Sequence, residues 1–294
     1  MNQNDFGKSG LMNRIAIVTD SAAGLSKEYI DRHDIRVLPM SVVIDGKAYR
    51  EGVDAQTEEI YDMLKDSGEG AKTSQPLFGE FMEVYETLDK DDSYDAIVAI
   101  HASSELTGTY QSSLSASAEV GKTVHVIDSR IGSYPLGKMI DSVVEARSSD
   151  EALPDVVQRV KDMAQQAQLY LLPQSFGQMR KSGRLSASQS MLASLLNIHL
   201  KLMFEDGKVI VGEKVRTKKK LINAMMNKLE EHVKEDAVRT LAIVHAGNEA
   251  LVHDWKERIE ARLENLELVV EPLVPVAGVH TGYGTVGFGF IKGY

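Results

Sequence analysis

The first half of the chain alternates short, wholly apolar runs with amphipathic stretches, and this rhythm limits the folds open to it. Two of the runs are Ile15–Val18 and Ala96–Ile100. Residues 123–128 are predicted to form a further strand. The residues that follow each run are predicted to form a helix. Apolar runs of this kind are typical of strands buried on both faces of a parallel sheet, with helices as connections. The pattern therefore predicts an α/β fold with a mainly parallel, Rossmann-like sheet and ligand-binding loops at its carboxyl edge.

The second half of the chain has a different pattern, with a predicted hairpin that turns at Asp206-Gly207 and a long helix from Lys218 to Val233. The same half is predicted to contain strands near 240–245, 267–273 and 285–291, and helices at Ser186–Asn197 and 248–264. This order predicts a second α/β domain with mixed or antiparallel pairing. Because 294 residues exceed one average domain, we expect three segments: a disordered lead-in (1–13), an N-terminal domain (14–165) and a C-terminal domain (166–294).

Composition excludes several classes of function. A net charge of −10 argues against an extended nucleic-acid surface. There is no Cys, and no apolar run approaches the roughly 20 residues of a membrane span, so we expect a cytoplasmic protein without integral membrane association. The eight His residues are scattered, which predicts no metal site. Gly282–Gly287 matches the dinucleotide pattern G-x-G-x-x-G, but too little chain follows for the helix that this motif requires.

Hydroxyl-rich segments follow several of the predicted strands. Hydroxyls and backbone N–H groups at a strand end that opens into a helix form a neutral cradle for a small oxyanion such as a carboxylate or phosphate. The densest segment is Ser103–Gln111, directly after the run Ala96–Ile100. The others are Thr19–Ser21, Thr73–Pro76, Asp128-Ser129, Gly183–Ser186 and His280–Gly284.

In this order and spacing, the six segments resemble the DegV family of bacterial fatty-acid-binding proteins over about residues 15–291. The resemblance implies a two-domain DegV-like fold that holds one long-chain fatty acid in a buried tunnel. It also implies a lipid-binding carrier subunit, not an enzyme, with no cofactor besides the bound acid. The carrier would present the carboxylate to a separate fatty acid kinase subunit, which forms an acyl phosphate for phospholipid metabolism.

The resemblance also assigns the site residues. It implies that Thr73, Ser104 and His280 bind the carboxylate of the fatty acid, with Ser74 and Ser103 as the alternatives at the two hydroxyl positions. Arg184 is expected at the rim of the site, either beside the head group or where the kinase docks. Read from the residues alone, the serines could equally cap the following helix, and a lone His is more often structural.

Two other functions stay open at this point. One is a stand-alone hydrolase or phosphotransferase that uses the Ser, His and Asp residues. The other is a regulatory module that binds a different small anion, since fold alone does not fix function. Asp20 and Asp128, which end two predicted strands, are interpreted as scaffold residues that hold loops through side-chain hydrogen bonds to the backbone.

Overall fold

A four-stranded, fully parallel sheet organises the first half of the chain, with the strand order β2-β1-β6-β7. The computed structural model describes residues 14–67, 70–174, 176–186, 198–263 and 265–294, so the predicted lead-in lies outside the described residues. The apolar runs become its central strands, which are buried on both faces, as predicted. The strands of this sheet are β1 (Ile15–Asp20), β2 (Ile35–Leu38), β6 (Ala96–His101) and β7 (Thr123–Asp128).

A small antiparallel sheet stands beside the carboxyl edge of the parallel one, with the order β4-β3-β5. The sequence predicts a hairpin from Val37 to Tyr49 that turns at Asp45-Gly46, and the turn is confirmed. The predicted start of that hairpin at Val37 is wrong, because Val37 belongs to β2. Pro39 has no N–H to continue a ladder and separates β2 from the hairpin. The strands are β3 (Ser41–Ile44), β4 (Lys47–Arg50) and β5 (Lys72–Ser74).

The second half of the chain builds a six-stranded mixed sheet with the order β10-β9-β8-β13-β11-β12. Every neighbouring pair is antiparallel except β11 and β12, which confirms the predicted mixed pairing. The predicted turn at Asp206-Gly207 joins β9 to β10. The strands are β8 (Ala167–Leu172), β9 (His199–Glu205), β10 (Lys208–Val215), β11 (Thr240–His245), β12 (Glu267–Pro272) and β13 (Val286–Ile291).

Helices connect the strands and begin where the local sequence can cap them. Ser26, Thr217 and Asn248 each accept a backbone N–H of the helix that follows. Most of the predicted helix 186–197 lies outside the described residues. The helices are α1 (Lys27–His33), α2 (Thr57–Ser67), α3 (Phe78–Asp89), α4 (Thr109–Ser117), α5 (Tyr134–Ala146), α6 (Leu153–Gln166), α7 (Phe176–Ser182), α8 (Lys218–Glu235), α9 (Glu249–Glu260) and α10 (Pro275–Thr281), with a 3₁₀ turn at Ser21–Ala23.

Helix α5 lies between the two large sheets and packs against strands of both. Its residues Leu136, Met139, Ile140 and Val143 are all fully buried. Each such side chain contributes about 1.5–3 kcal/mol of burial free energy. Because α5 packs against strands of both sheets, the two halves share one hydrophobic core. None of the helices in the described ranges is long and apolar enough to cross a bilayer.

Candidate functional site

A cavity of about 380 Å³ lies where the carboxyl edge of the parallel sheet meets the small sheet, β8 and helix α10. We call it the central cavity. Its volume falls in the roughly 300–1,000 Å³ range of small-molecule sites. Most of its wall is apolar, with large contributions from Leu106, Ile131, Leu169, Leu171, Met179 and Phe204. A cavity of this composition suits a ligand that is largely hydrocarbon.

Three of the predicted site residues line this cavity although they lie far apart in the chain. Thr73 is the middle residue of β5, His280 lies on α10, and Arg184 follows α7. The Thr73 Oγ1 and His280 Nε2 atoms are 2.9 Å apart, across a sequence separation of 207 residues. Arg184 is exposed at the cavity wall. The alternative hydroxyl, Ser74, also lines the cavity.

The environment of His280 favours the neutral imidazole. Burial, with a smaller contribution from the Arg184 guanidinium, lowers the pKa of His280 from 6.5 to about 4. The buried Nδ1 atom makes no hydrogen bond to any described residue. A neutral ring carries one proton, so His280 can donate to the Thr73 hydroxyl while Thr73 donates onward. This pair can therefore deliver one hydrogen bond to an acceptor in the cavity.

Helix α10 was not predicted from the sequence. Its N-cap residue, Val274, has no polar side chain, and a carboxylate from elsewhere takes that role. Glu51 Oε1 accepts the Val276 N–H at 2.7 Å, and Oε2 accepts the Ser21 hydroxyl. Burial raises the pKa of Glu51 to about 7. Glu51 thus fixes the start of the helix that carries His280.

A close contact in the middle of α10 holds the helix against α2. The Tyr61 hydroxyl donates to the Leu273 carbonyl at 2.5 Å. A Cβ atom at Gly278 would lie 2.4 Å from the Tyr61 oxygen, so only glycine fits there. Glu51 and Tyr61 together set the position of α10, and through it the position of the His280 ring.

The structure places neither Ser104 nor Ser103 in the cavity wall. Ser104 is exposed, and its N–H and hydroxyl donate to the Asp128 carboxylate at 3.2 and 2.5 Å. Ser103 is fully buried, and its hydroxyl donates to the Gly207 carbonyl at 2.7 Å. Gly207 has a φ of +80°, and a Cβ there would lie 2.7 Å from Ser103 Oγ. The two serines fasten their loop to β7 and to the β9–β10 hairpin.

Other members of the same loop do reach the cavity, and sequence analysis did not single them out. Thr107 and Gly108 line its wall, as does Gln75, the neighbour of the predicted Ser74. Gln75 Nε2 donates to Ser112 Oγ at 2.9 Å. A Cβ at Gly108 would lie 2.2 Å from Gln75 Oε1. The density of hydroxyls in Ser103–Gln111 indicated a loop that reaches the cavity, but not which of its residues line the wall.

A buried chain of hydrogen bonds crosses the end of the parallel sheet. Asp20 accepts from His101 Nδ1 at 3.0 Å, His101 Nε2 pairs with Ser113 Oγ at 2.8 Å, and Ser113 pairs with Tyr85 at 2.5 Å. This is the connectivity of a Ser-His-Asp triad. Asp20, His101, Ser113 and Tyr85 are all fully buried, however, so the hydroxyl has no access to a substrate.

This network of hydrogen bonds has a structural role, and the interpretation of Asp20 and Asp128 as scaffold residues is confirmed. Asp20 also accepts the Ala22 and Ala102 N–H groups, each at 3.0 Å. Asp128 holds Ser104 and the Arg130 N–H in the same way. Within the described ranges, no three His, Asp or Glu side chains are grouped so that they could hold a metal ion.

Comparison with known proteins gives matches along nearly the full chain. The model of the DegV family, described as uncharacterised proteins, matches residues 14–293. A DegV domain-containing protein of Listeria innocua is 30% identical over 275 residues, which are 93% of this chain and 97% of that protein.

Solved structures of similar fold include proteins described as lipid binders. The crystal structure of DegV, a fatty acid binding protein from Bacillus subtilis, superposes with a TM-score of 0.86 at 30% identity, over 96% of this chain and 99% of that one. A stearic acid-binding protein from Eubacterium ventriosum gives 0.82 at 25% identity, over 95% and 98%. These matches bear out the predicted α/β fold with one parallel and one mixed sheet.

Proposed function

The chain belongs to the DegV family, and we propose that it binds one long-chain fatty acid in the central cavity. This proposal rests on the division of the cavity wall into a polar part and an apolar part. Thr73, His280 and Arg184 form a polar group in a wall that is otherwise mainly apolar. A fatty acid has the same division between its carboxylate and its hydrocarbon chain.

Burial of the chain would provide most of the affinity. About 15 methylenes at ~0.8 kcal/mol each offer roughly 12 kcal/mol before the costs of association. The carboxylate must then be matched by donors, because an unpaired buried charge would be protonated or expelled. The contacts of the head group therefore determine the orientation of the bound fatty acid more than its affinity.

We infer that the Thr73 hydroxyl donates to the carboxylate while the His280 Nε2–H donates to Thr73 Oγ1. The 2.9 Å separation of the two atoms is a hydrogen-bond distance, and a Thr73 hydroxyl that accepts from His280 keeps its own proton for the carboxylate. Arg184 adds a positive charge close enough to lower the pKa of the imidazole. Ser104 has no part in this arrangement, because its hydroxyl is committed to Asp128.

We also propose that the protein is a carrier and not itself the catalyst, and that it presents the acid to a separate kinase subunit in the cytoplasm. The 294 residues contain no phosphate-binding G-x-x-x-x-G-K-[ST] loop, so ATP and Mg²⁺ would come from the partner. Arg184 is both exposed and part of the cavity wall, which is where a docked kinase would meet the carboxylate. The product would be an acyl phosphate for phospholipid synthesis.

The first prediction concerns occupancy. Protein purified from bacteria should carry a fatty acid at near-stoichiometric amount, because an apolar cavity gains free energy when hydrocarbon fills it. Denaturation, solvent extraction and mass spectrometry measure the bound lipid. Repeated extraction without lipid, together with no uptake of added oleate or palmitate, would contradict fatty-acid binding. Turnover of ATP or acyl esters by the isolated protein would instead favour a stand-alone enzyme.

The second prediction separates binding from presentation. Arg184→Ala should slow phosphorylation of the bound acid by a fatty acid kinase by tenfold or more, with a smaller loss of lipid affinity, if Arg184 belongs to the docking rim. Arg32→Ala is the matched control, since Arg32 is exposed on α1 and does not line the cavity. Equal losses of affinity and phosphorylation would make Arg184 a direct ligand of the carboxylate. No change in either would remove it from the site.

A further inference from the structure

Ser133 lies in the wall of the central cavity, and its hydroxyl makes no hydrogen bond to any residue that the structure describes. The residue is 2% exposed and precedes helix α5. Its N–H donates to the Ala22 carbonyl at 2.7 Å, and its carbonyl accepts the N–H groups of Leu136 and Gly137. The side chain does not cap α5 and bonds to no described residue. Only the hydroxyl is therefore left for something in the cavity.

The backbone at Ser133 supports a role beyond packing. Its φ of 60° and ψ of −150° lie in a region that is essentially restricted to glycine. A strained non-glycine residue persists where the surrounding structure holds it, and such residues cluster at ligand sites. Here a serine, with its hydroxyl, occupies a backbone conformation that glycine would adopt more easily.

The surroundings of Ser133 differ from those of Thr73 and His280. The Ser133 N–H donates to the carbonyl of Ala22, in the 3₁₀ turn after β1, and Ile131 lies two residues before Ser133. Leu169 of β8 lies beside Pro135, since both would contact a Cβ atom on Gly289. Ser133 therefore shares the cavity wall with the apolar side chains of Ala22, Ile131 and Leu169, and no hydrogen bond among the described residues joins it to the Thr73–His280 pair.

We propose that this hydroxyl binds an oxygen atom carried part-way along the acyl chain, so that the preferred ligand is a hydroxy fatty acid. This inference rests on the proposed fatty-acid binding and specifies its ligand class. A plain chain would leave the hydroxyl unpaired in an apolar wall, whereas a chain hydroxyl would accept a hydrogen bond from it or donate one to it. The N-terminus of α5 adds partial positive charge that favours an acceptor at this point. Sites built to bond a ligand hydroxyl discriminate against analogues that lack it.

The test compares stearic acid with 10-hydroxystearic and 12-hydroxystearic acids. The protein is first stripped of lipid, and the affinity of each acid is measured for the native protein, Ser133→Ala and Ser133→Gly. At least one hydroxystearate should bind the native protein about tenfold more tightly than stearate, as one hydrogen bond in an apolar site provides. Both variants should lose this ratio. Ser142→Ala should keep it, because Ser142 is buried on α5 but pairs with Arg159 outside the cavity.

Ser133→Gly guards against misfolding, because glycine adopts the required backbone conformation freely. A native protein that binds stearate at least as tightly as both hydroxystearates would overturn the inference. An unchanged hydroxystearate preference in folded Ser133→Gly would also overturn it. Failure of all three acids to bind the native protein would instead refute the proposed function.

Discussion

Replacing Thr73 with Val is expected to weaken fatty-acid binding by about 10- to 150-fold. The change keeps the shape of the side chain and removes only the hydroxyl that we propose donates to the carboxylate. A hydrogen bond to a charged group is worth about 1.5–3 kcal/mol, which corresponds to this range of affinity. Titration of delipidated protein with oleate gives the dissociation constant, and a melting curve shows that the variant is folded.

The chain offers a matched control in Ser104→Ala. Ser104 was predicted to share the carboxylate with Thr73, but its hydroxyl donates to Asp128. Its removal should leave oleate affinity unchanged. If Ser104→Ala and Thr73→Val weaken binding equally, the carboxylate does not lie where we propose.

A double-mutant cycle tests the order of the hydrogen bonds. If His280 acts through Thr73, the double variant Thr73→Val with His280→Phe should bind no more weakly than the worse of the two single variants. Full additivity of the two losses would mean that each residue donates to the carboxylate independently. Wild-type affinity in the folded double variant would show that the pair only joins β5 to α10.

Asp20→Ala should lower the free energy of unfolding by about 3–5 kcal/mol, because each buried donor left without an acceptor costs about 1–3 kcal/mol. The Asp20 carboxylate accepts from the His101 ring and from the Ala22 and Ala102 N–H groups. Its removal leaves three buried donors without a partner. Because Ala22 and Ala102 both line the cavity, the loss should also weaken lipid binding. Urea denaturation measures the first effect and oleate titration the second.

Asp128→Ala is the control for position, since Asp128 also ends a strand of the parallel sheet. Its carboxylate is half-buried and bonds to the exposed Ser104, so its removal should cost about 1 kcal/mol. A loss in Asp20→Ala no larger than that in Asp128→Ala would show that the Asp20 network contributes little to stability.

Local sequence patterns predicted most of the fold but only part of the site. The apolar runs predicted the central parallel strands, because a strand that is buried on both faces needs apolar residues at successive positions. Helix α10 was missed, because its N-terminus is capped by Glu51, which lies 225 residues away from Val276. No local signal reports a cap supplied from another part of the chain.

The serines illustrate the same limit within the site. Ser103 and Ser104 have identical chemistry, and their roles are decided by Gly207 and Asp128, which are 104 and 24 residues away in the sequence. Thr73 and His280 were predicted to come together from the resemblance of their motifs, and the structure places them in contact. Sequence analysis could identify the loops that meet, but not which hydroxyl in each loop faces inward.

The contact between Thr73 and His280 spans 207 residues, so it depends on the folding of both halves of the chain. Contacts so distant form late, because the entropy of closing a long loop must first be overcome. The cavity therefore exists only once both halves of the chain have folded together. A ligand that binds only this state stabilises it by mass action, by about 2.7 kcal/mol at a hundred times its dissociation constant. With the fatty acid that we propose as the ligand, the amount of folded protein should rise and fall with the available lipid.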